Sequence, residues 1–345
     1  MNRITRIALV AGTALAFVTG CAASPTPTPT PTPTPVAEEI PPADPTTVRI
    51  ASLKGPTTMG LVGLMADAEA GEATHDYQVT MSGTPDEVVP QLIQGEVDIA
   101  LIPANLAAVV YNRTLTDDGA QVQVVAINTL GVLEIVETGD EITSIADLAG
   151  RTIYSTGKGT TPEFVLNHLL TANGLDPAAD VTIEYRSEAT EVAALLENQP
   201  DAVGVLPQPY VTALKAQNPD VRTALSFTEE WAAVNDDSQL VTGVVVVRTA
   251  FAEENPGVLA DFLVDYQAST AFTNDNPADA AVLIAEAGIV PAAPIAEAAI
   301  PASNITYIDG EQMRSALAGY LQVLFDADPT AVGGTMPGDD FYHLG

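Results

Sequence analysis

Short apolar runs alternate with segments of helical period from residue 46 to the C-terminus. Val48–Ala51, Tyr77–Met81, Ile99–Ile102 and Gln121–Ile127 have the length and the β-branched or aromatic content of strands. Between them, Thr57–Ala70 sets Met59, Val62 and Met65 on one helical face, and Pro85–Gln94 does the same with Val88, Val89, Leu92 and Ile93. Pro103 opens another helix, where its missing N–H is harmless. The theme then repeats. Asp147-Leu148-Ala149-Gly150 closes a short helix, and Thr152–Tyr154, Val181–Tyr185 and Ala202–Leu206 read as strands. Thr161–Ala172, stopped by Asn173-Gly174, and Glu188–Glu197 read as helices, and Pro207-Gln208-Pro209-Tyr210 opens the next. Leu240–Val247 reads as a strand returning to the first set. The remainder is expected to be helical, over Phe251–Phe272, Pro277–Ala287, Pro294–Ala299 and Gly310–Ala327. Alternation of this kind predicts an α/β fold with mostly parallel sheets.

One junction occurs twice. Ile50-Ala51-Ser52-Leu53-Lys54-Gly55-Pro56-Thr57-Thr58 and Ile153-Tyr154-Ser155-Thr156-Gly157-Lys158-Gly159-Thr160-Thr161 each run from a strand through a Lys-Gly turn into a helix. Free backbone N–H groups at such a helix start suit an anion or a polar ligand. A second pair strengthens the symmetry: Gly95-Glu96-Val97-Asp98-Ile99-Ala100 followed by Pro103, and Pro200-Asp201-Ala202-Val203-Gly204-Val205 followed by Pro207. Two similar lobes are expected, joined by chain crossings near 129–134 and 239–245. The first lobe takes 46–130 plus 243–345 and the second 131–242.

The N-terminus changes the picture of where such a pair of lobes works. Arg3 and Arg6 precede an apolar run from Ile7 to Val18, and Val18-Thr19-Gly20-Cys21 follows. The run is short for a membrane span and ends in small residues, as an export signal does. Residues 22–45 are rich in Thr-Pro repeats, a composition that favours extended polyproline II over a core. At about 3.1 Å per residue this tether reaches roughly 70 Å. Cys21 is the single cysteine, so neither an internal disulfide nor a cysteine metal site is possible. With 12 Lys and Arg against 45 Asp and Glu, the formal charge is −33, which argues against nucleic acid as a partner. His75, His168 and His343 lack metal-ligand spacing, no Gly-x-Ser-x-Gly nucleophile motif is present, and Lys158 fails the phosphate-loop spacing. No cofactor, no metal and no catalytic residue are expected.

These pieces resemble the solute-binding lipoproteins of ABC importers, in the nitrate/sulfonate/taurine class related to binders of thiamine-pyrimidine precursors. The resemblance rests on Val18-Thr19-Gly20-Cys21, Leu53-Lys54-Gly55-Pro56-Thr57, Gly95–Ala100, Ile145-Ala146-Asp147-Leu148-Ala149-Gly150-Arg151-Thr152-Ile153, Pro207-Gln208-Pro209-Tyr210 and Asp339-Asp340-Phe341-Tyr342. It covers essentially all of 46–345. It implies a two-lobed type II periplasmic-binding fold with a two-stranded hinge, cleavage of a signal over residues 1–20, and lipid on Cys21. It further implies a monomer held on the extracytoplasmic face of a membrane, with a permease and its ATPase as partners, and no enzyme activity.

Open α/β sheets bind ligands beyond the carboxyl ends of their strands. Candidate ligand residues are therefore Ser52, Lys54, Gly55, Pro56, Thr57, Thr58, Gly83, Thr84, Asn105 and Thr129 in the first lobe. Thr156, Lys158, Gly159, Thr160, Thr161, Glu188, Pro207, Gln208 and Tyr210 hold the equivalent places in the second. The two lysines suit a sulfonate, nitrate or carboxylate. The threonines donate hydroxyl hydrogen bonds or cap helices, and Tyr210 suits a flat ring such as a pyrimidine. A sensor lobe, or an enzyme of the related pyrimidine and menaquinone precursor folds, is the alternative of another class.

Overall fold

The computed structural model describes residues 45–345 except Asp118 and Pro200. The signal, Cys21 and the tether lie outside the described residues. In chain order the first elements are β1 (Thr47–Leu53), α1 (Pro56–Met59), α2 (Val62–Ala70), β2 (Asp76–Ser82), α3 (Pro85–Gln94), β3 (Ile99–Pro103), α4 (Ala104–Thr114) and β4 (Val122–Leu130). There follow β5 (Leu133–Glu137), β6 (Thr152–Ser155), α5 (Thr161–Ala172), β7 (Thr182–Tyr185), α6 (Ala189–Asn198), β8 (Val203–Pro207), α7 (Tyr210–Gln217), β9 (Arg222–Ser226) and α8 (Phe227–Val234). The chain ends with β10 (Val241–Arg248), α9 (Thr249–Glu254), α10 (Pro256–Asp275), α11 (Pro277–Glu286), α12 (Ala293–Ala299), β11 (Ile305–Ile308) and α13 (Gly310–Ala327).

The strands form two separate sheets, one in each lobe. The first has the order β11-β4-β10-β3-β1-β2 and the second β7-β6-β8-β5-β9. In the first, β1 runs parallel to β2 and β3, and β10 lies antiparallel between β3 and β4, with Val245 opposite Leu101 on one side and Ala126 on the other. In the second, β6 runs parallel to β7 and β8, and β5 pairs antiparallel with β8, Leu133 opposite Pro207. The chain passes between sheets through Gly131-Val132, and back through the segment between α8 and β10. Strands such as Ile99–Ile102 are buried throughout because helices cover both faces of the sheet, which is why they read as continuous apolar runs. Val48, Ile50, Leu61, Phe262 and Tyr266 pack on one face of the first sheet. Val192, Leu196, Val211 and Leu214 pack on one face of the second. A larger core continues across the crossings, from Ile102 and Val244 through Leu133 to Ile153, Trp231 and Tyr320.

Several elements differ from the sequence expectation. The helix expected over Thr57–Ala70 breaks after Met59. There the side chain of Ser269 donates to Gly60 O at 2.7 Å and accepts from Leu64 N at 3.0 Å, so α10 satisfies the polar groups freed by the break. Pro256 splits Phe251–Phe272 into α9 and α10, because its ring and missing N–H suit a first turn but not a helix interior. The C-terminal third also holds the short strand β11, and the sequence pattern does not announce β5, β9 or α8. Ile93, expected in the core, is 51% exposed.

Candidate functional site

The carboxyl ends of β1, β2 and β3 in one lobe and of β6, β7 and β8 in the other open on a single cleft of about 700 Å³. Both Lys-Gly loops line it. In the second, Gly157 and Gly159 have φ of 70° and 77°, the left-handed region that glycine enters without a Cβ clash. A methyl added at Gly157 would also lie 2.7 Å from Thr160 Oγ1. These two glycines turn the chain tightly and leave Lys158 exposed at the wall.

Most of the candidate residues line the cleft: Lys54, Pro56, Thr57, Gly83, Thr84, Thr156, Lys158, Gly159, Thr160, Thr161, Glu188, Pro207 and Tyr210. The others lie behind its surface. Ser52 and Thr58 are fully buried and bonded to each other at 2.7 Å. Gly55 backs onto Tyr210, whose ring would lie 3.8 Å from a methyl added at that glycine. Gln208 is buried, with its side-chain oxygen accepting from Thr212 N and Oγ1. Thr129 is buried in β4, and Asn105 is buried under the cleft floor.

The expectation that the threonines cap helices does not hold. No side-chain cap bond is made at the start of α1 or α5. Thr57 and Thr58 donate back to Leu53 O and tie their turn to β1, whereas Thr160 donates to Gly157 O and closes its own loop. The loop amide of Gly159 donates to the Glu163 carboxylate. That amide is consequently engaged within the loop.

Contacts across the cleft already join the lobes. Thr161 Oγ1, at the first position of α5, donates to Asn105 Oδ1 of α4 at 3.2 Å, and Tyr320 Oη of α13 donates to Thr161 Oγ1 at 3.4 Å. Asn105 Nδ2 in turn donates to Ala331 O. At the opposite rim Tyr210 Oη donates to Lys54 O at 3.3 Å. Burial, and then the negative charge of Glu188, push the Tyr210 hydroxyl up to about 12, so it stays a donor at neutral pH.

The electrostatics of the cleft oppose those of the chain. Apart from Arg3 and Arg6, ten of the 12 lysines and arginines remain, and Lys54, Arg113, Lys158 and Arg186 line the cleft. Arg49, Arg151, Arg186, Arg222, Arg248 and Arg314 sit in ion pairs. Lys54, Arg113, Lys158 and Lys215 pair with no carboxylate among the described residues, and three of these four face the cleft. Lys158 Nζ stands 5.9 Å from the Tyr185 ring centre, and the Arg186 guanidinium 5.4 Å from that of Tyr154, so aromatic faces support both heads. Asp86 and Glu188 are the carboxylates in the wall. The sequence pattern does not single out Asp86, Leu106, Val109, Arg113, Phe164 or Arg186 as cleft residues. Arg113 has a legible signal all the same: it follows Leu106 and Val109 at helical spacing on a helix that starts at the cleft.

Comparison with known proteins supplies the fold's relatives. The family model described as NMT1/THI5 like matches residues 117–280. A search of curated proteins finds no match. The chain is similar to the structure of an ABC transporter from Parabacteroides distasonis, at 21% identity and a TM-score of 0.69, covering 86% of this chain and 99% of that one. It is similar to the alkanesulfonate-binding protein SsuA from Xanthomonas axonopodis pv. citri bound to MOPS, at 16% identity and a TM-score of 0.66, covering 86% and 96%. It is also similar to the periplasmic nitrate-binding protein NrtA from Synechocystis PCC 6803, at 12% identity and a TM-score of 0.61, covering 84% of each chain. The fold is a two-lobed type II periplasmic-binding fold. In such a fold the cleft between the lobes is the place where sheet topology directs a ligand. Among the described residues, no helix is long and apolar enough to cross a membrane, and no cluster of three His, Cys, Asp or Glu side chains is placed to hold a metal.

Proposed function

We propose that the chain is the extracytoplasmic solute-binding component of an ABC importer, capturing a small polar or anionic organic solute between its lobes and delivering it to a permease. The observation that carries this reading is the placement of cations. A chain of formal charge −33 turns three of its four cations without an ion pair, among the described residues, into one cleft. Long-range repulsion from the acidic exterior is offset there by Lys54 and Lys158, one from each lobe, and by Arg113. The similarity to sulfonate- and nitrate-binding structures supports the same class of ligand. Capture proceeds by hinge closure: the solute bridges the lysine loops, and the Thr161–Asn105 and Tyr210–Lys54 contacts add interlobe bonds as the lobes meet. Binding without turnover is the activity. Lipid on Cys21 and the Thr-Pro tether hold the lobes near the membrane and within reach of the permease.

Phe164 and Tyr210 in the wall, with the NMT1/THI5-like match, favour a second reading in which a neutral pyrimidine or another flat ring is the solute. Thermal shift of the purified full chain separates the two. Methanesulfonate, taurine, nitrate and a neutral aminopyrimidine are compared on the parent and on a Lys54→Ala/Lys158→Ala variant. A ligand at 100 times its Kd adds about 2.7 kcal/mol of stability. Stabilisation by an anion that the double variant loses supports the anion reading. Stabilisation by the pyrimidine alone, unchanged in the variant, replaces it with the second.

A further inference from the structure

The cleft is longer than a small inorganic anion requires. α4 lines it through Leu106, Val109 and Arg113, whose spacings of three and four put them on one helical face. The first turn of this helix lies at the cleft floor, where Asn105 accepts the bond from Thr161. At ~1.5 Å of rise per residue, Arg113 stands about 12 Å along the axis from that contact. Leu106 and Val109 fill the distance on one side, and Phe164 of α5 lines the same cavity. The Lys158 loop leads into Thr161, and Lys158, exposed on the second lobe's wall with its Nζ 5.9 Å from the Tyr185 ring centre, marks one end of the cleft with a cation. Arg113, which pairs with no carboxylate among the described residues, marks the other.

We propose that the solute is an elongated organic dianion, a reading that rests on the anion-binding function above. One acidic group sits at the Lys158 loop and a second at Arg113, with an apolar segment between them against Leu106, Val109 and Phe164. A short monoanion leaves the Arg113 guanidinium without a partner and the apolar strip wet. A molecule with both ends charged meets all three features at once. The guanidinium fork suits a terminal carboxylate or sulfonate, which it can hold through two parallel bonds.

Isothermal titration of the purified full chain with suberate, octanoate, succinate and methanesulfonate tests the proposal. Suberate and octanoate share a chain length and differ in the second charge; succinate has both charges and too short a span. Suberate is expected to bind at least about tenfold tighter than either, the worth of one charge-assisted contact. Arg113→Gln is expected to bring suberate to the affinity of octanoate, with the melting temperature of the variant reporting that it folds. Equal affinities for suberate and octanoate, or an equal loss of both in Arg113→Gln, overturn the dianion. If methanesulfonate or octanoate binds and suberate has no advantage, the anion-binding reading stands and this inference falls. If none of the four binds, this inference falls, and the taurine and nitrate arms of the thermal-shift test decide the anion-binding reading.

Discussion

Replacing Asp98 with asparagine separates the scaffold from the site. Asp98 precedes β3 at the end away from the cleft, and its side chain is 4% exposed. Its Oδ2 accepts from Arg49 N and Nε, each at 3.0 Å, and its Oδ1 accepts from Arg49 Nη2 at 2.7 Å and Arg248 Nη2 at 3.0 Å. The carboxylate therefore ties β1 to β10 across the start of β3. An amide in its place keeps the shape but turns one acceptor into a donor facing a guanidinium. Hydrogen bonds to charged groups contribute about 1.5–3 kcal/mol each. The arginine side chains are 42% and 25% exposed and regain water when released, so much of that is offset. The expected net loss is about 2–3 kcal/mol at pH 7, read from urea midpoints at constant slope. Burial pushes the Asp98 pKa upward, but the bonds from Arg49 and Arg248 outweigh it and hold the group below the usual carboxylate range. The contribution is thus fully present above the unfolded value near ~3.9 and disappears as pH falls through the lower folded value. The gap between parent and Asp98→Asn should close in acid. A loss under ~0.5 kcal/mol at pH 7, or a gap that does not narrow as pH falls below the unfolded value, refutes the argument.

Glu134 gives the opposite sign. Burial foremost, and then Glu229, raise its pKa to about 7 against the pull of Lys215, so the folded state loses stability as pH rises from the ordinary value toward 7. Glu134→Gln should stabilise the chain by about 1–3 kcal/mol at pH 8, after allowing for solvent access, and by nothing at pH 4; denaturant titrations at the two pH values check this. At the first crossing, a methyl on Gly131 would lie 2.2 Å from Thr228 Oγ1 and 3.0 Å from Leu240 Cδ2. Gly131→Ala should cost about 1–3 kcal/mol through overpacking, with an unchanged melting temperature as the contrary result. Thr161→Val leaves the buried Asn105 Oδ1 without its donor and Tyr320 Oη without its acceptor. A loss of about 1–3 kcal/mol in urea unfolding is expected, and a neutral effect would show that water replaces the hydroxyl. Cys21→Ser should move the expressed chain from the membrane fraction to the soluble extracytoplasmic fraction; retention at the membrane would exclude lipid on this sulfur as the anchor.

Local pattern was enough to make the α/β alternation, both Lys-Gly junctions and their placement at strand ends legible in the sequence. Each of these is a consequence of neighbours along the chain: apolar runs need two covered faces, and the glycines of a Gly-Lys-Gly turn admit left-handed backbone without a Cβ clash. Topology then sent most candidate residues toward one cleft, because the carboxyl ends of parallel strands share an edge. Tertiary structure decided what those residues do there. It buried Asn105 and joined it to Thr161, directed the hydroxyls of Thr57, Thr58 and Thr160 to carbonyls of their own strands and loops, and engaged the Gly159 amide with Glu163. It broke the first long helix at Gly60, where the distant Ser269 supplies the missing bonds. It also chose which cations stay unpaired. Arg49 and Arg248 find Asp98 from far along the chain, whereas Arg113 meets the cleft. Ion pairing depends on which carboxylates folding brings within a few ångströms, and spacing in the sequence does not encode that.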